Sequence, residues 1–134
     1  MAFSLHPQLQ KDCIDLGSLT LCQVLLMNDS QFPWLILVPK RANISEIYQL
    51  SAADQQQLMR ESSHIAAQLN TLFHADKINI AALGNMVPQL HIHHVVRYTT
   101  DKAWPAPIWG EFDATAYTDK ELKVMHSKLQ NILS

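Results

Sequence analysis

Gln89, His91 and His93 occupy every second position of the run Gln89-Leu90-His91-Ile92-His93-His94-Val95-Val96-Arg97, which holds three of the chain's seven histidines. On an extended strand successive side chains alternate between faces. The pattern therefore predicts two imidazoles and one carboxamide on a single face, with Leu90 and Ile92 anchored behind them. His91 and His93 then lie about 6.6–7 Å apart at Cα, near enough to address one phosphate or one metal ion.

Three chemistries compete for that face. The plainest is a row of exposed polar positions on a half-buried strand. A metal site needs at least one more good ligand, and nothing in the spacing selects among Asp101, Glu111 and His126; no metal and no other cofactor is expected. The best-supported reading is nucleophilic. An imidazole nitrogen can attack phosphorus and carry the phosphoryl or nucleotidyl group covalently. That attack needs a neutral ring in one tautomer, and donors for the oxygens on which charge accumulates. A glycine-containing turn before the strand, Gly84-Asn85-Met86-Val87-Pro88, can bring backbone N–H groups close to a phosphate.

The elements that must position these residues follow from patterning. Ser18–Met27 and Phe32–Val38 read as two strands of a hairpin around Asn28-Asp29-Ser30, the second central because it is apolar on both faces. A short helical signal covers Ser45–Leu50. Ser51 then caps a long helix to about Phe73, with Asp54 at its positive end and Leu58, Ser62, Ile65, Leu69 and Leu72 as its stripe. Lys77–Leu83 and Leu90–Tyr98 read as strands. Thr99–Gly110 is an aromatic loop in which Trp104 and Trp109 serve either as a lid or as packing. Thr118, with Glu121 as capping-box partner, opens a last helix to Leu133. His64, His74 and His126 fall on or beside helices and read as bystanders. This order fits α+β with an antiparallel sheet better than repeated βαβ units.

Composition sets the outer limits. The 134 residues fit one domain, 1–134, with a net charge of −2 and no basic run, so duplex nucleic acid is not an expected partner. Cys13 and Cys22 match no zinc or redox spacing and read as reduced thiols. With no signal-peptide pattern and no apolar run of spanning length, the expectation is a cytoplasmic protein without a membrane partner.

The segment Gly84–Arg97 resembles the signature of the histidine-triad (HIT) superfamily, His-φ-His-φ-His-φ-φ after a Gly-Gln-Ser/Thr-Val-Pro-like turn. Trp34-Leu-Ile-Leu-Val-Pro-Lys-Arg41 is similar to the strand that ends Ile/Val-Pro-Lys/Arg in that family, and Ser45–Phe73 lies where its long helix does. The resemblance spans residues 20–110. It implies a five-stranded antiparallel sheet with one long helix packed on it and a C-terminal helix, usually as a homodimer. It also implies hydrolysis or transfer at the α-phosphorus of a nucleotide conjugate, a purine nucleotide being the expected ligand, with His91 as nucleophile and His93 positioning phosphate. Asn79 matches a polar residue near ribose or phosphate, and Gly84 and Asn85 match the phosphate-facing turn. The chain departs from the pattern at three places: Gln89 replaces the first histidine, Met86 replaces a hydroxyl residue, and Ala42 and Asn43 stand where a further histidine is implied. These departures motivate the alternative of a nucleotide-binding dimeric module with weak or lost catalysis.

Overall fold

The computed structural model describes residues 2–134. In chain order it contains helix α1 (Pro7–Asp12), strands β1 (Cys13–Ser18), β2 (Cys22–Met27) and β3 (Trp34–Pro39), helix α2 (Ala52–Phe73), strands β4 (Lys77–Ala81) and β5 (Ile92–Arg97), and helix α3 (Asp119–Leu129). The strands form one antiparallel sheet in the order β1-β2-β3-β5-β4. The α+β five-stranded expectation is met, with the apolar strand β3 at the centre and every residue buried.

Alternation along β5 assigns one set of side chains to each face. Ile92 and Val96 meet Leu58, Ile65 and Leu69 of α2 and Met125 and Leu129 of α3. Val95 faces the other way, with Trp34, Ile36, Phe32, Leu9 and Ile108. Fully burying each such aliphatic side chain contributes about 1.5–3 kcal/mol. The second face is roofed by α1 and the loop after β5 rather than by a long helix, which leaves room for a cavity.

The helix ends follow their caps. Ser51 Oγ accepts from the Asp54 N–H at 3.1 Å, and Thr118 with Glu121 closes a reciprocal box at α3. The stripe residue Ser62 has a partner: its hydroxyl lies 2.7 Å from His94 Nε2.

Two elements depart from the sequence reading. The stretch read as one strand from Ser18 to Met27 is the end of β1, a turn, and β2; β1 itself and α1 had no strong signal. Asp15 and Gly17 break the two-residue period through a bulge, with Gly17 at φ 115°. In α1 the cap is the ring of His6, whose Nδ1 accepts from the Gln8 N–H at 3.0 Å. The last strand is also shorter than expected, starting at Ile92. Its neighbour β4 ends at Ala81, opposite His93, so Gln89–His91 have no ladder on that side.

Glu61 joins α2 to the turn before β2. Its buried carboxylate accepts from the backbone N–H groups of Leu21 and Cys22, both at 2.8 Å. Glu61→Gln keeps the shape and loses the charge-assisted bonds, so it is expected to destabilise by about 1–2 kcal/mol. Urea unfolding at neutral pH checks this; an unchanged midpoint would remove Glu61 as the link.

Candidate active site

His91 and His93 meet on the roofed face of the sheet. Their ring centroids are 4.9 Å apart at an interplanar angle of 70°, and both residues are about 7% exposed. The i, i+2 spacing does bring the two rings together, although only His93 belongs to the strand.

Each ring has its tautomer set by one neighbour. His91 Nδ1 lies 2.7 Å from the backbone carbonyl of Gln89. A carbonyl only accepts, so Nδ1 carries the proton and Nε2 keeps its lone pair. The Trp34 indole Nε1–H donates to His93 Nδ1 at 3.0 Å. An indole only donates, so His93 carries its proton on Nε2. One ring thus offers a nucleophilic nitrogen and the other a hydrogen-bond donor. Burial, chiefly, with His91 and His94 adding to it, lowers the His93 pKa to about 3, so the ring is neutral.

The pair opens on a cavity of about 360 Å³, within the range of small-molecule sites. Leu9, Met27 and Ile36 give it an apolar wall; Gly84 and Asn85 border it from the turn. Gly84 has φ 78°, a conformation that favours glycine. Met86 also borders the cavity but is 92% exposed, so it covers little. Trp109 forms a further wall, 5.4 Å from the His93 ring and 6.4 Å from Trp34 between centroids.

Two expected site residues lie elsewhere. The Gln89 side chain turns off the histidine face and grips the N-terminal segment: its Oε1 accepts from the His6 N–H at 2.8 Å and its Nε2 donates to the Ser4 carbonyl at 2.9 Å. What Gln89 gives His91 is its backbone carbonyl. Asn79 shares the His93 face but accepts from Arg97 at 2.8 Å and does not border the cavity. Arg97, 1% exposed, makes a two-pronged pair with Asp101 at 2.8 and 3.0 Å. Trp104 lies over its guanidinium at 5.6 Å and does not line the cavity. Among the described residues no group of three or more His, Cys, Asp or Glu is arranged to hold a metal. The thiols are unpaired; burial, chiefly, raises Cys13 to about 12 and Cys22 higher.

His94 occupies the opposite face, fully buried, with Nδ1 donating to the Ile92 carbonyl at 3.1 Å and Nε2 facing Ser62. Burial, chiefly, lowers its pKa to about 4. His93 and His94 therefore stay neutral in the folded chain while the unfolded chain protonates both near pH 6.5. Their contribution to stability is full above about pH 6.5 and is lost as pH falls toward 4 and then 3. Urea unfolding at pH 7.5, 5.5 and 4.5 should show falling stability with an unchanged denaturant slope; a flat profile contradicts the burial of neutral rings.

Trp34 is the site residue that the sequence did not disclose. Its indole reaches a histidine 59 residues away, and nothing local in Pro33-Trp34-Leu35 distinguishes it from an ordinary core tryptophan.

Comparison with known proteins follows this geometry. Residues 8–100 match the model of the HIT domain. A histidine triad protein from Marinobacter aquaeolei VT8 is 50% identical with a TM-score of 0.97, over 99% of this chain and 97% of that one. Another from Bradyrhizobium japonicum is 44% identical with a TM-score of 0.96, over all of both chains. A histidine triad protein from Sinorhizobium meliloti 1021 is also 44% identical, with a TM-score of 0.94 over 98% and 97%. No similar protein was found among the curated ones. Among the described residues no helix is long and apolar enough to cross a membrane.

Proposed function

The chain belongs to the HIT domain family, and from that premise we propose that it is a nucleotide hydrolase or nucleotidyl transferase acting at the α-phosphorus of a nucleotide conjugate. The observation that carries the reading is the pair of opposite tautomers, His91 with a free Nε2 lone pair beside His93 with an Nε2–H, over one cavity.

His91 Nε2 attacks the α-phosphorus; a P–N bond forms as the bond to the leaving group breaks, and the leaving group takes the electron pair, an amine departing with its nitrogen already protonated from solvent. The substituted ring is then cationic, and its Nδ1–H strengthens its bond to the Gln89 carbonyl. The neutral His93 ring donates to a phosphoryl oxygen as charge gathers there. Gly84 and Asn85 supply the turn against the same phosphate. Water then attacks phosphorus, frees His91 and yields the nucleoside monophosphate. The apolar wall of Leu9, Met27 and Ile36 suits the flat base, a purine filling the volume better than a pyrimidine. Asn79 acts behind the site, holding Arg97.

The substrate class is dinucleoside polyphosphates or nucleoside phosphoramidates, and turnover of either by the purified protein tests the reading. The turned-away Gln89 side chain favours one second reading, a nucleotide-binding module with weak catalysis: nucleoside monophosphate then raises the melting temperature while neither substrate is consumed. Either form works as a homodimer in this proposal. Its support is β4, an outer strand with Ile80 about half exposed and Leu83 likewise just beyond its end, the kind of edge that pairs with a second copy.

A further inference from the structure

Gln89 acts on the site without facing it. Residues 82–91 cross from β4 to β5, and Gln89–His91 have no ladder partner on the β4 side. The Gln89 peptide is therefore placed by local anchors. One is the Leu90 N–H, which donates to the Ile44 carbonyl at 2.9 Å. The other is the Gln89 side chain. Its Oε1 accepts from the His6 N–H and its Nε2 donates to the Ser4 carbonyl, 83 and 85 residues away in sequence. A carboxamide held at both atoms fixes the Cα from which it projects. That Cα carries the carbonyl bonded to His91 Nδ1 at 2.7 Å. The His91 ring has no other hydrogen-bond partner among the described residues, so this carbonyl alone selects its tautomer.

We propose that the Gln89 carboxamide is a positioning group for the nucleophile, and that the amino-terminal segment around Ser4 and His6 is its support. Once the clasp is loosened, the Gln89 carbonyl drifts from Nδ1. The ring then also populates the Nε2–H tautomer, which turns an N–H instead of a lone pair toward phosphorus. The effect on rate rests on the nucleotide reading of the cavity; the effect on the ring does not. Substrate contacts are spared. Helix α1, which carries the cavity residues Leu9 and Asp12, keeps Leu9 packed in the core and the Asp12 carbonyl bonded to the Asn28 N–H at 3.0 Å.

Long-range proton–nitrogen correlation spectra of the full chain show which nitrogen of each histidine is protonated. Gln89→Met keeps the side-chain length and the backbone carbonyl and removes both bonds of the clasp. His6→Pro removes the N–H from the other side, at a φ of −56° that proline accepts. His6→Ala removes the His6 ring, which caps α1, and keeps the N–H. Wild type and His6→Ala should show His91 protonated at Nδ1. Gln89→Met and His6→Pro should show His91 signals averaged between tautomers. His93, whose proton is placed by Trp34, should stay protonated at Nε2 throughout. On a nucleoside phosphoramidate, kcat should fall about tenfold in Gln89→Met and about threefold in His6→Pro, with KM within about twofold of wild type. An unchanged His91 spectrum in both Gln89→Met and His6→Pro overturns the clasp. So does an equal change in His6→Ala, which assigns the effect to the helix cap. A raised KM with kcat unchanged overturns positioning in favour of ligand binding. If Gln89→Met does not fold, the two His6 variants decide. A wild type that turns over no conjugate removes the nucleotide reading, and the spectra still decide the clasp.

Discussion

His91→Ala is expected to lower turnover of a nucleoside phosphoramidate or dinucleoside polyphosphate by about 10⁴-fold or more, the scale on which removal of an attacking group acts. The variant should remain folded, because His91 precedes β5 and its ring supports no ladder bond. A quenched reaction with substrate labelled at the α-phosphorus should leave wild type carrying an acid-labile label, and the variant none. His93→Ala should fall less, by about 10²–10³-fold, since it removes one donor to developing charge rather than the nucleophile. Retention of activity within tenfold by His91→Ala would falsify the covalent route.

Arg97→Met is expected to be the most destabilising single change, at about 3–5 kcal/mol, because it leaves the nearly buried Asp101 carboxylate without its countercharge. For a domain of this size that is about 10–20 °C in melting temperature. Arg97→Lys keeps the charge but not the fork to Asp101 and Asn79, and should lose roughly half as much. The Arg97 guanidinium, above all, holds the Asp101 carboxyl down to about 2. The pair's contribution is therefore full above about pH 4 and lost as pH falls from there toward 2. Asp101 also gathers the N–H groups that start the tryptophan loop, so Arg97→Met should weaken nucleotide binding along with stability. Melting within 3 °C of wild type would show that the pair carries little.

Much of this was legible locally. The caps at Ser51 and Thr118, the two-sided apolar run of β3 and the i, i+2 histidines are patterns within a few residues, and each has one dominant physical reading. The rest depended on distant partners. Gln89 matched the histidine face by parity, yet two backbone groups at Ser4 and His6 offered its carboxamide a better pairing. Asn79 was read toward the ligand, and Arg97 took its oxygen. Ser62 fits the stripe of α2 by spacing, but its hydroxyl serves His94 behind it. Trp34 could not be told from packing because its partner lies on the neighbouring strand, 59 residues on in sequence. The i, i+4 spacing of Arg97 and Asp101 was a signal, but on a strand followed by a turn it does not carry the meaning it has on a helix.

The grip of Gln89 on the N-terminal backbone bears on what position 89 can tolerate. A carboxamide offers a donor and an acceptor side by side and can clasp a peptide strand at two points. An imidazole has one nitrogen on either flank of its ring, so it cannot replace both contacts in the same place. A histidine placed at position 89 is therefore expected to release the segment around Ser4 and His6. A gain there needs a second substitution to secure the amino end first.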